Sequence, residues 1–164
     1  FTHYDGEFKQ KYLSEDFNFF MSQSALEHVA HDLKYFRVIA EYLKKRRKPN
    51  IQIHLVPAAE CLQLYGLHGV RQYTPRTLSN ITRLFSEGIC TLFCLGGSAC
   101  NHLHMQAISL PAQNNTADWR QTNSDQYEML LKKAISRDME VESKEVNFYA
   151  LVIETNTATS VFFD

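Results

Sequence analysis

The chain is poor in the residues that punctuate and staple small folds: 164 residues contain only 6 glycines, 4 prolines and 4 cysteines. Cysteines 61, 90, 94 and 100 are too few and too irregularly spaced for a disulfide scaffold. They point to a reducing, intracellular compartment, cytoplasmic or nuclear. Two acceptor-type triplets, Asn80-Ile81-Thr82 and Asn114-Asn115-Thr116, point the other way, but such triplets arise often by chance. No uninterrupted apolar segment approaches the roughly 20 residues that a bilayer requires, which excludes a helical span and leaves no membrane partner to expect. A net charge of −1 removes any global electrostatic argument for nucleic acid. There is no internal repeat and no low-complexity linker. Phe1 is not an initiator Met, and no signal-peptide pattern follows it, so the segment is expected to belong to a longer chain.

What is present is ordinary for a globular protein: 45% hydrophobic and 21% charged residues, enough for one domain over 1–164. From Ser14 the pattern reads as helical. Ser14 can cap, and Leu26, Val29, Leu33, Phe36, Ala40 and Leu43 recur at steps of three and four. The run Lys44-Lys45-Arg46-Arg47-Lys48 suits a helix C-terminus, and Pro49 stops it. Ile51, Ile53 and Leu55 alternate with Gln52 and His54 as in a strand closed by Pro57. Thr74-Pro75 opens a second helix that Gly88 ends. Ile89 to Leu95 is apolar enough for a central strand, with Cys90 and Cys94 on one face. A polar loop over 112–123 precedes a third helix from Ser124. Val146 to Ile153 and Thr159 to Phe163 read as a terminal hairpin. The sum is an α+β domain with a mostly antiparallel sheet and flanking helices.

The most informative stretch is His102-Leu103-His104-Met105-Gln106, between the glycine-containing loop 96–101 and Ala107-Ile108-Ser109-Leu110-Pro111. Read as a strand from His102 to Leu110, it sets His102, His104 and Gln106 on one face, about 6.5–7 Å apart. Three desolvated polar groups in a row each need a partner, so that face is expected to open onto a site. A histidine on a strand is more often a satisfied structural residue; the pair plus Gln106 makes a functional face as plausible as a structural one.

This segment resembles the signature of the histidine-triad superfamily, His-φ-His-φ-(His or Gln)-φ-φ, in its glutamine variant. Among its branches it is similar to the galactose-1-phosphate uridylyltransferases and diadenosine tetraphosphate phosphorylases, with Leu110-Pro111 and the upstream His54-Leu55-Val56-Pro57 as further echoes. The resemblance covers 51–111. The chain departs from it where an asparagine commonly ends the strand before the loop, a place held here by Cys94 and Leu95. The resemblance implies a HIT-like fold and a covalent nucleotidyl-histidine at His104, with His102 orienting it and Gln106 contacting a phosphoryl oxygen. It also implies phosphate contacts from the loop at Gly97, Ser98 and Asn101, no metal or other cofactor, a nucleotide or nucleotide-sugar partner, and the dimers common in that superfamily. The activity implied is nucleotidyl transfer or phosphorolysis. Two other classes compete. An HUH-type nickase would use His102 and His104 as metal ligands and Tyr127 as nucleophile on DNA. A non-catalytic subunit would bind a nucleotide or RNA without turnover.

Overall fold

The computed structural model of the chain describes residues 13, 17–66, 69–141 and 145–157. A four-stranded sheet has the order β1-β2-β4-β3, where β1 is Phe19–Gln23, β2 Asn50–Pro57, β3 Ile89–Leu95 and β4 Phe148–Thr155. β1 runs parallel to β2, and the other two pairings are antiparallel. The helices are α1 (Asp32–Arg46), α2 (Leu62–Tyr65), α3 (Pro75–Thr82), α4 (Ser98–His104), α5 (Leu110–Gln113), α6 (Trp119–Thr122) and α7 (Ser124–Glu140). The expected α+β class with a mostly antiparallel sheet is the one found.

Several local expectations hold for the physical reasons given. Thr74 caps α3 by accepting from the Thr77 amide, Thr77 reciprocates, and Pro75 occupies the first turn. α1 ends within the basic run, where Arg47 turns left-handed, and residues 44–49 are exposed. Others need correction. The helix expected to begin at Ser14 starts only at Asp32; Ser14 itself lies outside the described residues, and 19–23 form β1. Aromatic Phe19 and Phe20 favour an extended, laterally paired chain, and the ladder to β2 supplies that pairing. Among the described strands, β3 stands at the end of the sheet order rather than in its centre. The second arm of the expected terminal hairpin, Thr159 to Phe163, lies outside the described residues.

The polarity of β2 is inverted relative to its hydrophobic pattern. Gln52, His54 and Val56 are wholly buried, whereas Ile51, Ile53 and Leu55 are only partly covered. The register sets Gln52 opposite Ile153, His54 opposite Leu151 and Val56 opposite Tyr149. This face lies beneath α1 and α3, in one core with Phe36, Ile39, Leu43, Leu78, Ile81 and Phe85. His54 is accommodated because both ring nitrogens find partners. Nδ1 lies 2.8 Å from Ser22 Oγ and Nε2 lies 3.3 Å from Gln52 Oε1. Since Gln52 Oε1 can only accept, Nε2 carries the proton and Nδ1 accepts from the Ser22 hydroxyl. Phe36 meets the imidazole edge to face at 4.8 Å.

Burial holds the His54 pKa down to about 4. Above pH 6.5 the ring is neutral both folded and unfolded, and its contribution is intact. As pH falls from 6.5 to about 4, only the unfolded chain takes up the proton, and stability declines by roughly 3 kcal/mol in total. Urea midpoints measured between pH 7 and 4 should show this decline in the wild type and a shallower one in His54→Gln; parallel pH profiles would contradict it.

Candidate functional site

Residues 98–113 form one helical run rather than a strand: α4, a π-helical stretch over Met105–Ser109, and α5. The expected strand from His102 to Leu110 is therefore corrected. Gly96, at φ +77°, turns the chain out of β3, and a Cβ there would strike the Asn147 side chain at 2.8 Å. The helical run can form because leucine, methionine, glutamine and alanine between 103 and 107 all favour helix and the run lacks the β-branched density of a buried strand. Pro111 then accounts for the wide turn. It has no N–H to give Ala107, and its ring would press on that carbonyl in a regular helix. In the wide turn the Leu110 amide reaches back to Met105 O instead.

Helical geometry redistributes the three side chains expected on one face. His102 and Gln106, four apart, line the same cleft, while His104 projects from the other side of the helix. The cleft lies between α4 and α7 and has a volume of about 580 Å³. From α4 and the π stretch come Ser98, Ala99, His102, Leu103 and Gln106. From α7 come Leu130, Lys133, Ala134 and Arg137, a single stripe at helical spacing, and Trp119 of α6 completes the lining. Lys133 and Arg137 are exposed and Trp119 is half-buried, so cation and ring are both presented to an incoming ligand. Sequence reasoning missed Trp119, Lys133 and Arg137. Their signal was legible as the lone tryptophan and two cations four residues apart on an amphipathic helix, but nothing in the sequence joined them to His102.

His104 has a different environment. Burial, and then the Arg120 guanidinium, push its pKa below the usual histidine range, while Asp118 acts in the opposite sense. Asp118 and Arg120 pair at 2.6 Å, and that bond holds the Asp118 carboxyl below its ordinary range. His104 is thus held neutral, as a nucleophile must be, but away from the other two members of the expected trio. The expected arrangement, with His104 flanked by His102 and Gln106 on one face of a strand, is corrected accordingly.

Of the residues expected to contact phosphate, Gly97 is buried as the residue preceding α4 and Ser98 is exposed at the cleft. The next two amides are engaged within the protein: Ala99 N–H and Cys100 N–H donate to the two oxygens of Asp138 at 3.0 and 2.8 Å. Burial acts to raise the Asp138 pKa, but the Cys100 thiol and these two amides prevail and hold it low. Burial and the same carboxylate push the Cys100 thiol up to about 12. Asp138 thus fastens α7 to the start of α4 and fixes one end of the cleft. Asn101 donates to Glu145 Oε2 at 3.4 Å and lines a second hollow of about 350 Å³ with Glu60 and Glu145, whose carboxylates repel an anion. Ser98 and His102 stand on the ridge between the two hollows.

Tyr127 is half-buried near the start of α7 and does not line the cleft. Among the described residues, no three His, Cys, Asp or Glu side chains gather so that they could hold a metal ion, and His54 is buried in the core rather than beside His102. No helix among the described residues is long and apolar enough to cross a membrane. Compared with known proteins, the chain matches no family model, no curated protein and no solved structure.

Proposed function

We propose that the chain binds a phosphorylated nucleotide or nucleotide sugar, without a covalent step, in the cleft between α4 and α7. The observation that supports this is the convergence of His102, Gln106, Lys133, Arg137 and Trp119 on one hollow. Lys133 and Arg137 supply the charge-assisted donors that a phosphate selects, with Arg137 able to offer two parallel bonds. Trp119 offers a flat apolar face for a base, and Gln106 an amide that can pair with base or ribose edges. A volume of about 580 Å³ falls in the range typical of small-molecule sites. His104 does not line this cleft, so binding there involves no nucleotidyl-histidine.

Trp119 is the only tryptophan, so its fluorescence reports on the cleft directly. Titration with ATP, AMP, UDP-glucose and diadenosine tetraphosphate should change the emission saturably for at least one of them. Lys133→Ala and Arg137→Ala should each weaken that binding by about tenfold, the equivalent of one charge-assisted hydrogen bond. No response across the panel, or unchanged affinity in both variants, would refute the proposal.

A further inference from the structure

A second hollow, of about 280 Å³, lies between α1, the segment that joins α3 to β3, and the end of β4. It shares no lining residue with the cleft at α4. Its floor is apolar: Leu43 and Phe85 are buried, with Ala40 and Leu84 half-buried beside them. Its rim carries charges of both signs. Arg37, Glu41 and Lys44 follow one another at helical spacing along α1, and Glu87 stands on the joining segment. All four are exposed, and among the described residues no hydrogen bond or ion pair engages their side chains. Exposed charges of this kind gain little from one another, so a guest can claim them at small cost.

Within the rim a buried polar group lacks a partner. Thr155, the last residue of β4, is 9% exposed, and its Oγ1 has no hydrogen bond among the described residues. Asn50, opposite it in the ladder, is 2% exposed, and both ends of its amide are likewise unpartnered. Buried polar atoms nearly always find partners, so three orphans at one end of one strand pair mark a place where something polar belongs. Gly88 lets the joining segment close directly on that end of β4. A Cβ there would lie 2.5 Å from Glu154 O and 3.0 Å from Thr155 Cγ2, and the neighbouring Glu87 is thereby carried to the same end.

We propose that this hollow binds a free α-amino acid with an apolar side chain. Arg37 and Lys44 donate to its carboxylate, its ammonium donates to Glu41 and Glu87, and its side chain covers Leu43 and Phe85. The Thr155 hydroxyl, which can donate or accept, completes the polar end. A simple anion would leave the two carboxylates opposing it, and a simple amine would leave the two cations doing so; a zwitterion satisfies all four. The volume lies just below the roughly 300–1,000 Å³ of sites for larger ligands, which suits a guest smaller than a nucleotide. The inference is independent of the reading of the α4 cleft.

L-Leucine titrated into the chain by isothermal calorimetry should bind at one site. Glycine, with no side chain to cover the floor, should bind roughly tenfold more weakly or worse. N-acetyl-leucine lacks the ammonium and 3-methylbutylamine lacks the carboxylate, and each should lose about tenfold. Arg37→Gln and Glu87→Gln should each weaken leucine binding by about the same factor, while Lys133→Ala in the other cleft leaves it unchanged. Thr155→Val is the decisive variant, because it removes the orphaned hydroxyl and keeps the shape. Its thermal midpoint should stay at or above that of the wild type while leucine affinity falls about tenfold. Absence of leucine binding at millimolar concentrations, equal affinity for leucine and N-acetyl-leucine, or unchanged affinity in Thr155→Val would each overturn the proposal.

Discussion

Phe36→Ala is expected to lower unfolding free energy by about 3–5 kcal/mol, the largest single effect in the molecule. Phe36 has no exposed surface. Its ring contacts Tyr35, His54 and Phe85 edge to face at 5.2, 4.8 and 6.4 Å, so it is the hinge of the seam between α1, the sheet and the turn after α3. Truncation removes the transfer free energy of the ring and leaves a hollow lined partly by an imidazole whose hydrogen bonds hold it in place. Collapse around the gap is therefore limited, which favours the upper part of the range. Urea unfolding followed by far-ultraviolet circular dichroism gives the value; a loss below about 1.5 kcal/mol would mean that the core relaxes far more than this packing suggests.

The second large effect is expected at Asp32→Ala. Asp32 is buried at the first turn of α1. Oδ1 accepts from the Leu33 amide at 2.8 Å and from Arg71 Nη1 at 2.6 Å, and Oδ2 accepts from the Tyr73 hydroxyl at 2.8 Å. Arg71 also donates to Ala30 O, and Val70 N–H to Glu27 O at 2.7 Å, so the 69–73 segment is laced to 27–32 through this carboxylate. Breaking a buried pair from one side costs about 3–5 kcal/mol. With the Arg71 side chain 35% exposed and partly screened by solvent, about 2–4 kcal/mol is the appropriate expectation. Asp32→Asn keeps a carbonyl for one donor and should lose about half as much. Proteolysis should find the 69–73 region of the alanine variant first; equal stability of the two variants would remove the carboxylate from its assigned role.

Where sequence and structure agree, the signal is local. The Thr74 cap with Pro75, the helix from Ser124, and the strands at 51–55 and 89–95 carry their own start, stop and period. Where they part, the deciding contact is distant in sequence. Residues 19–23 become a strand because β2 offers a ladder, a pairing no spacing within 14–48 reveals. The polar side of β2 turns inward because Ser22 and Gln52 satisfy His54, an arrangement that hydrophobic alternation alone argues against. In 102–110, alternation of polar and apolar residues is compatible with a strand. The same residues are good helix formers, and Asp138, far along the chain, supplies the partner for the amides at the start of α4. Of the candidate site, His102 and Gln106 were found by pattern and are brought together. His104, on the same pattern, lies apart from them, because a period of two does not fit a segment whose period is that of a helix; Asn101, which the resemblance implied, lines the second hollow beside His102.

The wide turn at Met105–Ser109 carries one residue more than a regular winding would use. That surplus advances the angular phase of everything downstream by about 100°. The upstream half of the rod thereby addresses α7, while Ser109 downstream bonds to Leu64 O at 2.6 Å. One continuous rod thus serves two neighbours that a uniform pitch could not address together.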